Sequence, residues 1–234
     1  IERLAKDLTV ANERLKELDK LKSEFVSIAS HQLRSPLTAI KGYASLVLDG
    51  TYGKVPPSIR EAVDKMFQAS QSLVLMVEDF LNVSRIEQGR MKYDLALVDL
   101  KEIINNVIDE QSLSVKRAGL NITFTTDKQP SYMSVVDSGK IRQVVTNLID
   151  NAIKYTPKGT ISVSLFKNLS KRKIIISIAD TGMGIDKTVV PTLFAKFSRA
   201  KEANKVNVIG TGLGLYIVKE IVEGHHGRVY VESE

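Results

Sequence analysis

Four short stretches of this chain carry residue types that can do chemistry, and two of them suit phosphate. His31 sits in a long helical pattern, and Pro36 follows five positions later. A heptad count backwards from it puts Ile1, Leu4, Leu8, Ala11, Leu15, Leu18 and Phe25 at alternating a and d positions, with Lys22 the polar exception before Ala29. On that register His31 is a c position and faces water. Taken alone, it is an ordinary surface histidine. Pro36 changes the reading, because its ring excludes the hydrogen bond to the Gln32 carbonyl and bends the helix one turn beyond the imidazole. An exposed imidazole beside a built-in weak point is arranged to be reached by another molecule.

Asn147, Asn151 and Lys154 fall at i, i+4 and i+7 of a second helical pattern, with Val145, Leu148, Ile149 and Ala152 on its other side. A solvated polar stripe is the plain alternative, but asparagine is a mediocre helix former and two in register need a reason. A neutral amide oxygen is a hard ligand that suits Mg2+ already bound by phosphates, where further carboxylates would repel a nucleotide. Lys154 adds a point charge for phosphate.

Asp180-Thr181-Gly182-Met183-Gly184 follows a strand-like run. Its glycines let backbone approach a flat ligand, and an aspartate there can accept from an exocyclic amine such as that of adenine. By itself this pattern is often just a turn. Gly210-Thr211-Gly212-Leu213-Gly214-Leu215 leads into a helix, where N–H groups and a positive helix end face phosphate. A dinucleotide-binding fingerprint would need its glycines after an early strand, whereas these come late. The P-loop pattern is absent. Between the two glycine turns, Leu193-Phe194-Ala195-Lys196-Phe197-Ser198-Arg199 and the loop to Ile209 suit a nucleotide lid, though the phenylalanines equally suit a core.

The elements that must position these groups divide in two. Residues 1 to about 49 read as one long helix, and 49–57 as a breaker-rich loop. Ser58, with Glu61 three residues on, reads as a capping box opening a second helix. There Ile59, Val63, Met66, Ser70, Leu73, Val77, Phe80 and Ser84 keep 4-3 spacing, with a second stripe of Phe67, Val74 and Leu81 beside them. That face is too wide for a two-helix seam. A hairpin would keep apolar surface that a dimeric four-helix bundle buries. Gly89 is placed as a helix stop, and a domain border falls between Gly89 and Lys92.

Beyond it the pattern mixes strands (93–98, 121–126, 161–165, 173–178, 228–232) with helices (100–118, 137–155, 212–223). This suggests an α/β sandwich with helices on one face of a sheet. Asp137 is placed to cap its helix. His225 and His226, between Gly224 and Gly227, read as a turn and not as metal ligands.

The 234 residues are enough for two modest domains. There are no cysteines, which rules out disulfide and thiolate chemistry and suits a reducing cytoplasm. The net charge of +6 does not signal nucleic acid, because basic and acidic residues are interleaved, as in Lys16-Glu17-Leu18-Asp19-Lys20. Lys171-Arg172-Lys173 is short and reads as a solvated hairpin turn. No run approaches the ~18 apolar residues needed to span a bilayer, and no signal peptide is visible. A start at Ile1 already in heptad register reads as a fragment of a longer protein.

Taken in order, these stretches resemble a sensor histidine kinase of two-component signalling, and the resemblance covers nearly the whole chain. His31-Gln32-Leu33-Arg34-Ser35-Pro36 is similar to the H box and Asn147 to Tyr155 to the N box. Asp180 to Gly184, Phe194 to Arg199 and Gly210 to Leu215 resemble the G1, F and G2 boxes. The resemblance implies a coiled-coil signalling helix over 1–22, a dimerisation and histidine-phosphotransfer hairpin over 23–90, and an ATP-binding domain of the gyrase and MutL type over 91–234. It implies His31 as phospho-acceptor, flanked by Gln32 and Ser35, with Arg199 near the reacting phosphate. It implies ATP held by Asn147, Asn151, Lys154, Tyr155, Asp180, Gly182, Gly184, Gly210, Thr211, Gly212, Leu213 and Gly214, with Mg2+ on Asn151.

The partners it implies are a second copy of the chain and a response-regulator receiver domain. The membrane would enter only through a missing sensor segment, so the core is expected in the cytoplasm. Two positions depart from the family. Gln32 stands where Glu or Asp is usual, and Ser35 where Thr or Asn is linked to dephosphorylating the regulator; Ser keeps a hydroxyl and leaves that activity open. The chain also stops at Glu234, where the family continues into a final strand. An ATPase without phosphotransfer and a non-enzymatic dimeric scaffold are the competing readings. His31 with Pro36 argues against the first, and intact N, G1 and G2 boxes against the second.

Overall fold

The computed structural model describes residues 2–127, 129, 131–168, 170, 173–198 and 211–233. Ile1 and the side chains of Leu4, Leu8, Ala11 and Phe25, all expected heptad positions, lie outside the described set, as do Arg199 and Gly210. The chain divides into two compact units, residues 1–91 and 92–234.

The first unit is a helical hairpin of α1 (Glu2–Leu48) and α2 (Pro57–Glu87). Helix α1 runs through Pro36 without interruption. Gln32, whose carbonyl loses its donor to the proline, is exposed to water, and Thr38 Oγ1 donates to the Arg34 carbonyl at 2.8 Å. Three cross-helix contacts set the antiparallel register: Lys22 to Glu87 at 3.8 Å, Arg34 to Glu78 at 3.8 Å, and Lys41 Nζ over the Phe67 ring at 5.7 Å. Small residues Ser30, Ala44 and Ser70 are buried where the helices approach.

Beyond Ala29, the last position of the heptad count, the α1 side chains that turn inward include Ser30, Arg34, Leu37, Lys41, Ala44 and Leu48, while Gln32 and Ala39 are exposed. On α2 it is Val63, Phe67, Ser70, Val74, Val77 and Leu81 that turn inward. The stripe of Ile59, Met66, Leu73 and Phe80 stays exposed. Leu15 and Leu18 are also exposed, because α2 ends level with Lys22 and offers them no partner.

The capping box expected at Ser58 does not form. Pro56 is the N-cap, Pro57 is the first helical residue, and Glu61 accepts from Lys65 at 2.7 Å. A proline at the first helical position already has the right φ and no orphan donor, so the helix starts one residue earlier than the box requires. At the other end Gly89 takes φ +61°, and Gly89 and Arg90 donate to the Ile86 and Arg85 carbonyls. This is the expected glycine stop.

The second unit orders β1 (Ala96–Asp99), α3 (Leu100–Arg117), β2 (Asn121–Thr126), β3 (Met133–Val136), α4 (Ser138–Tyr155), β4 (Thr160–Asn168), β5 (Lys173–Asp180) and α5 (Gly214–Gly224). A short 3₁₀ turn spans Val190–Thr192. Strands β1 and β3 form an antiparallel ribbon; β2 pairs parallel to β4, and β4 antiparallel to β5. Asp99 caps α3 by accepting from the Lys101 N–H at 3.0 Å, and Asp137 caps α4 from the Lys140 N–H at 2.9 Å.

Both helices lay apolar stripes on one face of the larger sheet. Ile104, Val107, Val145, Ile149, Ile161, Val163 and Leu165 are fully buried there. The α/β sandwich is thus two layers, with α5 packed along α4 through Leu213, Ile217, Val218 and Ile221.

Three local expectations change. The first strand starts at Ala96, not Tyr93, and its partner β3 was not anticipated. β5 is only half-buried, because it pairs on one side alone. Residues 227–233 keep an alternating pattern, with Tyr230 exposed between half-buried Val229 and Val231, but join no sheet. Period-2 alternation makes a strand only when a neighbouring backbone accepts the ladder.

The two faces of β4 give a test of this layering. Leu165→Ala should cost about 2–5 kcal/mol, whereas Phe166→Ala on the opposite face should cost far less. Denaturant unfolding of both variants checks this, and equal losses would contradict the layer assignment.

Candidate nucleotide-binding and phospho-acceptor sites

In the first unit His31 is exposed on α1. Gln32 and Ser35 are exposed as well, Ser35 one turn further along the same helix face. Arg34 turns toward α2, half-buried and paired with Glu78. The histidine therefore stands out from a turn that is fastened to α2 by its neighbour.

The second unit gathers the remaining candidates. Helix α4 is amphipathic: Val144, Val145, Ile149 and Ala152 are buried, while Asn147 and Asn151 are half-buried and Lys154 is exposed. The helix ends at Tyr155, whose carbonyl accepts from the Met183 N–H at 3.1 Å. That bond ties the loop after β5 to the end of α4. Gly182 is needed there, because a Cβ would lie 2.3 Å from the Tyr155 oxygen and 2.6 Å from Asp180 Oδ1. Asp180, exposed at the end of β5, accepts from the Gly182 N–H at 2.9 Å, which fixes one carboxylate oxygen and leaves the other for a ligand. Thr181 braces the loop from below, its Oγ1 accepting from the Thr160 N–H at 3.0 Å.

The start of α5 meets the other side of α4. A Cβ on Gly214 would lie 3.3 Å from Asn147 Oδ1. Ahead of it, Gly212 takes φ +70° with Phe197 and Ser198 backbone about its α-carbon; a Cβ would meet both at 3.0 Å. Thr211 Oγ1 accepts from the Leu213 N–H at 3.2 Å. Leu213, expected among the nucleotide-binding residues, has a fully buried side chain that packs in the interior. Phe194 is half-buried and Phe197 is exposed, so the Phe197 ring is not part of the core. Lys196 lies 5.0 Å over the Tyr216 ring and links this segment to α5.

The N, G1, F and G2 stretches thus converge on the last two turns of α4 and the first turn of α5. Arg199 and Gly210 fall outside the described residues. The donor set fits a cation shared with phosphate: two amide side chains one turn apart and, among the described residues, no cluster of three His, Cys, Asp or Glu to hold a metal unaided.

Sequence reasoning missed two groups here. His225 caps the end of α5, with Nδ1 2.7 Å from the Ile221 carbonyl and Nε2 accepting from the Asp137 N–H at 3.0 Å. Two adjacent histidines between glycines gave no hint of which would turn inward. Asp150 is a second case. Gln111 donates to it at 2.9 Å from α3, and burial, opposed by Lys154 and that hydrogen bond, holds its carboxyl above the usual range.

Comparison with known proteins places this arrangement. Residues 21–89 match the His Kinase A phospho-acceptor domain, and residues 136–234 match the histidine kinase-, DNA gyrase B- and HSP90-like ATPase family. The chain is 32% identical over its full length to hybrid signal transduction histidine kinase D of Dictyostelium discoideum, spanning 15% of that protein. It is 32% identical over 93% of its length to the sensor protein SrrB of Staphylococcus aureus, spanning 36% of that protein. Full-length ShkA, solved with AMPPNP, superposes at a TM-score of 0.66 and 25% identity over 86% of this chain and 40% of ShkA. No described helix is long and apolar enough to cross a membrane. With a phospho-acceptor hairpin bearing an exposed histidine and an ATPase-type unit behind it, the chain belongs to the sensor histidine kinases of two-component systems.

Proposed function

We propose that this chain is the kinase core of a two-component sensor, transferring the γ-phosphoryl group of ATP to His31 and then to an aspartate of a response regulator. What carries the reading is the exposed His31 on the hairpin together with the convergence of Asn147–Tyr155, Asp180–Gly184 and Thr211–Gly214 in the ATPase-type unit. In the first step an imidazole nitrogen forms a bond to the γ-phosphorus as the bond to the β–γ bridging oxygen breaks, and ADP leaves. Little covalent chemistry falls to the protein, which supplies position and charge. Asp180 recognises the adenine amino group, and Lys154 and Tyr155 sit beside the nucleotide. The N–H groups at the start of α5 face its phosphates. Asn151, with Asn147 beside it, would hold Mg2+, which draws negative charge away from the phosphate oxygens.

In this reading residues 1–22 form the signalling coiled coil, 23–90 the phosphotransfer hairpin and 91–234 the ATP-binding domain. The hairpin pairs with a second copy. Ile59, Met66, Leu73 and Phe80 on α2 and Leu33, Ile40 and Tyr43 on α1 are exposed along it, an apolar face that a four-helix bundle buries. The regulator's receiver domain docks near His31, and Ser35, on the same face, offers its hydroxyl to a water that hydrolyses the regulator's aspartyl phosphate, releasing inorganic phosphate.

The deciding experiment is incubation with γ-labelled ATP and Mg2+. The label should be acid-labile and alkali-stable, as a phosphoramidate is, and absent from His31→Ala although that variant still binds nucleotide. Label that survives acid, or survives the substitution, sinks the kinase reading.

Gln32 allows a finer test. A carboxylate at that position holds the imidazole N–H about twice as strongly as an amide does. Gln32→Glu should therefore speed phosphorylation of His31 by about tenfold, a modest share of a general-base effect, with ATP affinity unchanged. An equal or slower rate would show that the amide is no handicap.

Dimerisation is tested by Leu73→Asp combined with Phe80→Asp. The parent should sediment as a dimer at micromolar concentration and the variant as a folded monomer. A monomeric parent would remove the bundle.

A further inference from the structure

Helices α4 and α5 run antiparallel and touch at two levels. At one, Gly214 of α5 meets Asn147 of α4; at the other, His225 at the end of α5 meets Asp137 at the start of α4. Eleven residues separate the contacts on α5 and ten on α4, about 16 Å at the helical rise. The first contact belongs to the nucleotide site, and the second is built from side chains that the proposed chemistry does not use.

The geometry of the second contact fixes the protonation of His225. Nδ1 faces the Ile221 carbonyl at 2.7 Å and must carry hydrogen; Nε2 faces the Asp137 N–H at 3.0 Å and must be bare. Only the neutral imidazole, in one tautomer, satisfies both partners. The surroundings reinforce the arrangement. The Tyr93 ring meets the imidazole edge-on at 4.8 Å, and its hydroxyl donates to the Glu220 carbonyl at 3.3 Å. A Cβ on Gly224 would lie 2.2 Å from that hydroxyl, so only glycine fits there. The Asp137 carboxylate accepts from the N–H groups of Lys140 and Asp94, both at 2.9 Å, and so ties the first residues of the unit to the same point.

We propose that His225 is a positioning residue for the nucleotide site, a clasp that holds α5 in register with α4 while neutral and releases it when protonated. The proposal rests on the nucleotide reading above. A charged imidazolium has no acceptor for the Asp137 N–H. Its new proton would compete for the Asp137 carboxylate, which would then leave Lys140 or Asp94. The titratable groups around it are Asp137 and Lys140 on α4, Tyr93 and Asp94 in the leading segment, and Glu220, Glu223 and His226 on or just after α5.

Two of these are set so as to keep their present states. Burial works against the Asp137 carboxylate, but the N–H groups of Asp94 and Lys140 and the Lys140 charge outweigh it and hold its carboxyl below the usual range. Burial, then the charges of Glu220 and Asp137, push the Tyr93 hydroxyl up. Neither changes charge where an imidazole ordinarily titrates, so the response of the clasp belongs to His225. The neutral imidazole closes the clasp and the imidazolium, which has no acceptor for the Asp137 N–H, opens it.

The test is binding of ADP with Mg2+ to the whole chain by calorimetry at about pH 7.5 and about pH 5.5, across the interval in which histidine side chains as a class change charge. Three proteins are compared: the parent, His225→Gln and His226→Asn. Glutamine offers an acceptor and a donor without titrating, and asparagine tolerates the left-handed backbone of His226, whose φ is +59°. The parent and His226→Asn should lose about fivefold in affinity on acidification, the worth of one ordinary hydrogen bond. His225→Gln should lose much less.

A parent whose affinity does not fall, or a fall of the same size in His225→Gln, overturns the proposal. So does an imidazole nitrogen NMR spectrum at neutral pH in which His225 carries its proton on Nε2, a measurement that needs no nucleotide. A parent that binds no ADP at neutral pH sinks the nucleotide reading and, with it, a positioning role for this clasp.

Discussion

Helix α4 must satisfy two surfaces with one 3.6-residue period, and the rest of the second unit is arranged around that constraint. Its apolar stripe of Ile141, Val145, Ile149 and Ala152 has to lie on the sheet. Once it does, Asn147, Asn151 and Lys154 are carried away from the sheet, at a spacing the helix itself dictates. The partner elements are then placed by what α4 still offers. The Tyr155 carbonyl takes the loop after β5, and the side of Asn147 takes the start of α5. The candidate groups are close together because one loop is hydrogen-bonded to the end of α4 and the other packs beside Asn147.

Glycines act in this unit as permissions for close approach. Gly182 lets the loop lie against the Tyr155 carbonyl and Gly214 lets α5 lie against Asn147. Gly224 lets Tyr93 reach the end of α5. For Gly182 and Gly224 the neighbour is backbone or a ring already held by other contacts, so it cannot move aside for a Cβ; beside Gly214 it is the Asn147 side chain, in close contact. The glycine-rich turns of the sequence therefore do two jobs, exposing backbone donors to a ligand and setting the separations of the elements that present them.

The hairpin follows a different rule. Its helices approach through small residues, Ser30, Ala44 and Ser70, and are kept in register by long charged side chains at the flanks. These exposed pairs contribute little each. What they specify is alignment, which decides that the turn bearing His31 is fastened through Arg34 to Glu78. The apolar stripe of Ile59, Met66, Leu73 and Phe80 on α2 is the part of the hairpin's pattern that stays exposed among the described residues.

Much of this was legible in the sequence because it is local. The Asp137 cap, the Gly89 stop, the two faces of α4 and the glycine turns each depend on residues within a turn or two of one another. Their chemistry does not change with what lies across the fold. The order of the chemical stretches was legible for the same reason, and it carried the family resemblance.

Other features depended on what came to lie opposite. On α1 beyond Ala29, what lay opposite on α2 decided that Ser30, Arg34, Leu37, Lys41, Ala44 and Leu48 turn inward. The capping box at Ser58 gave way to Pro57. The pattern at 228–232 found no ladder, while β3 formed where β1 supplied one. His225 shows the limit most clearly. A histidine beside a histidine, between glycines, has no local mark of purpose. It acquires one when α5 packs antiparallel on α4 and brings the Asp137 N–H to its ring, an encounter between residues 88 positions apart. Sequence alone determined the local chemistry of each segment; the tertiary structure decided which segments met, because hydrogen-bond partners distant in the chain are chosen by packing.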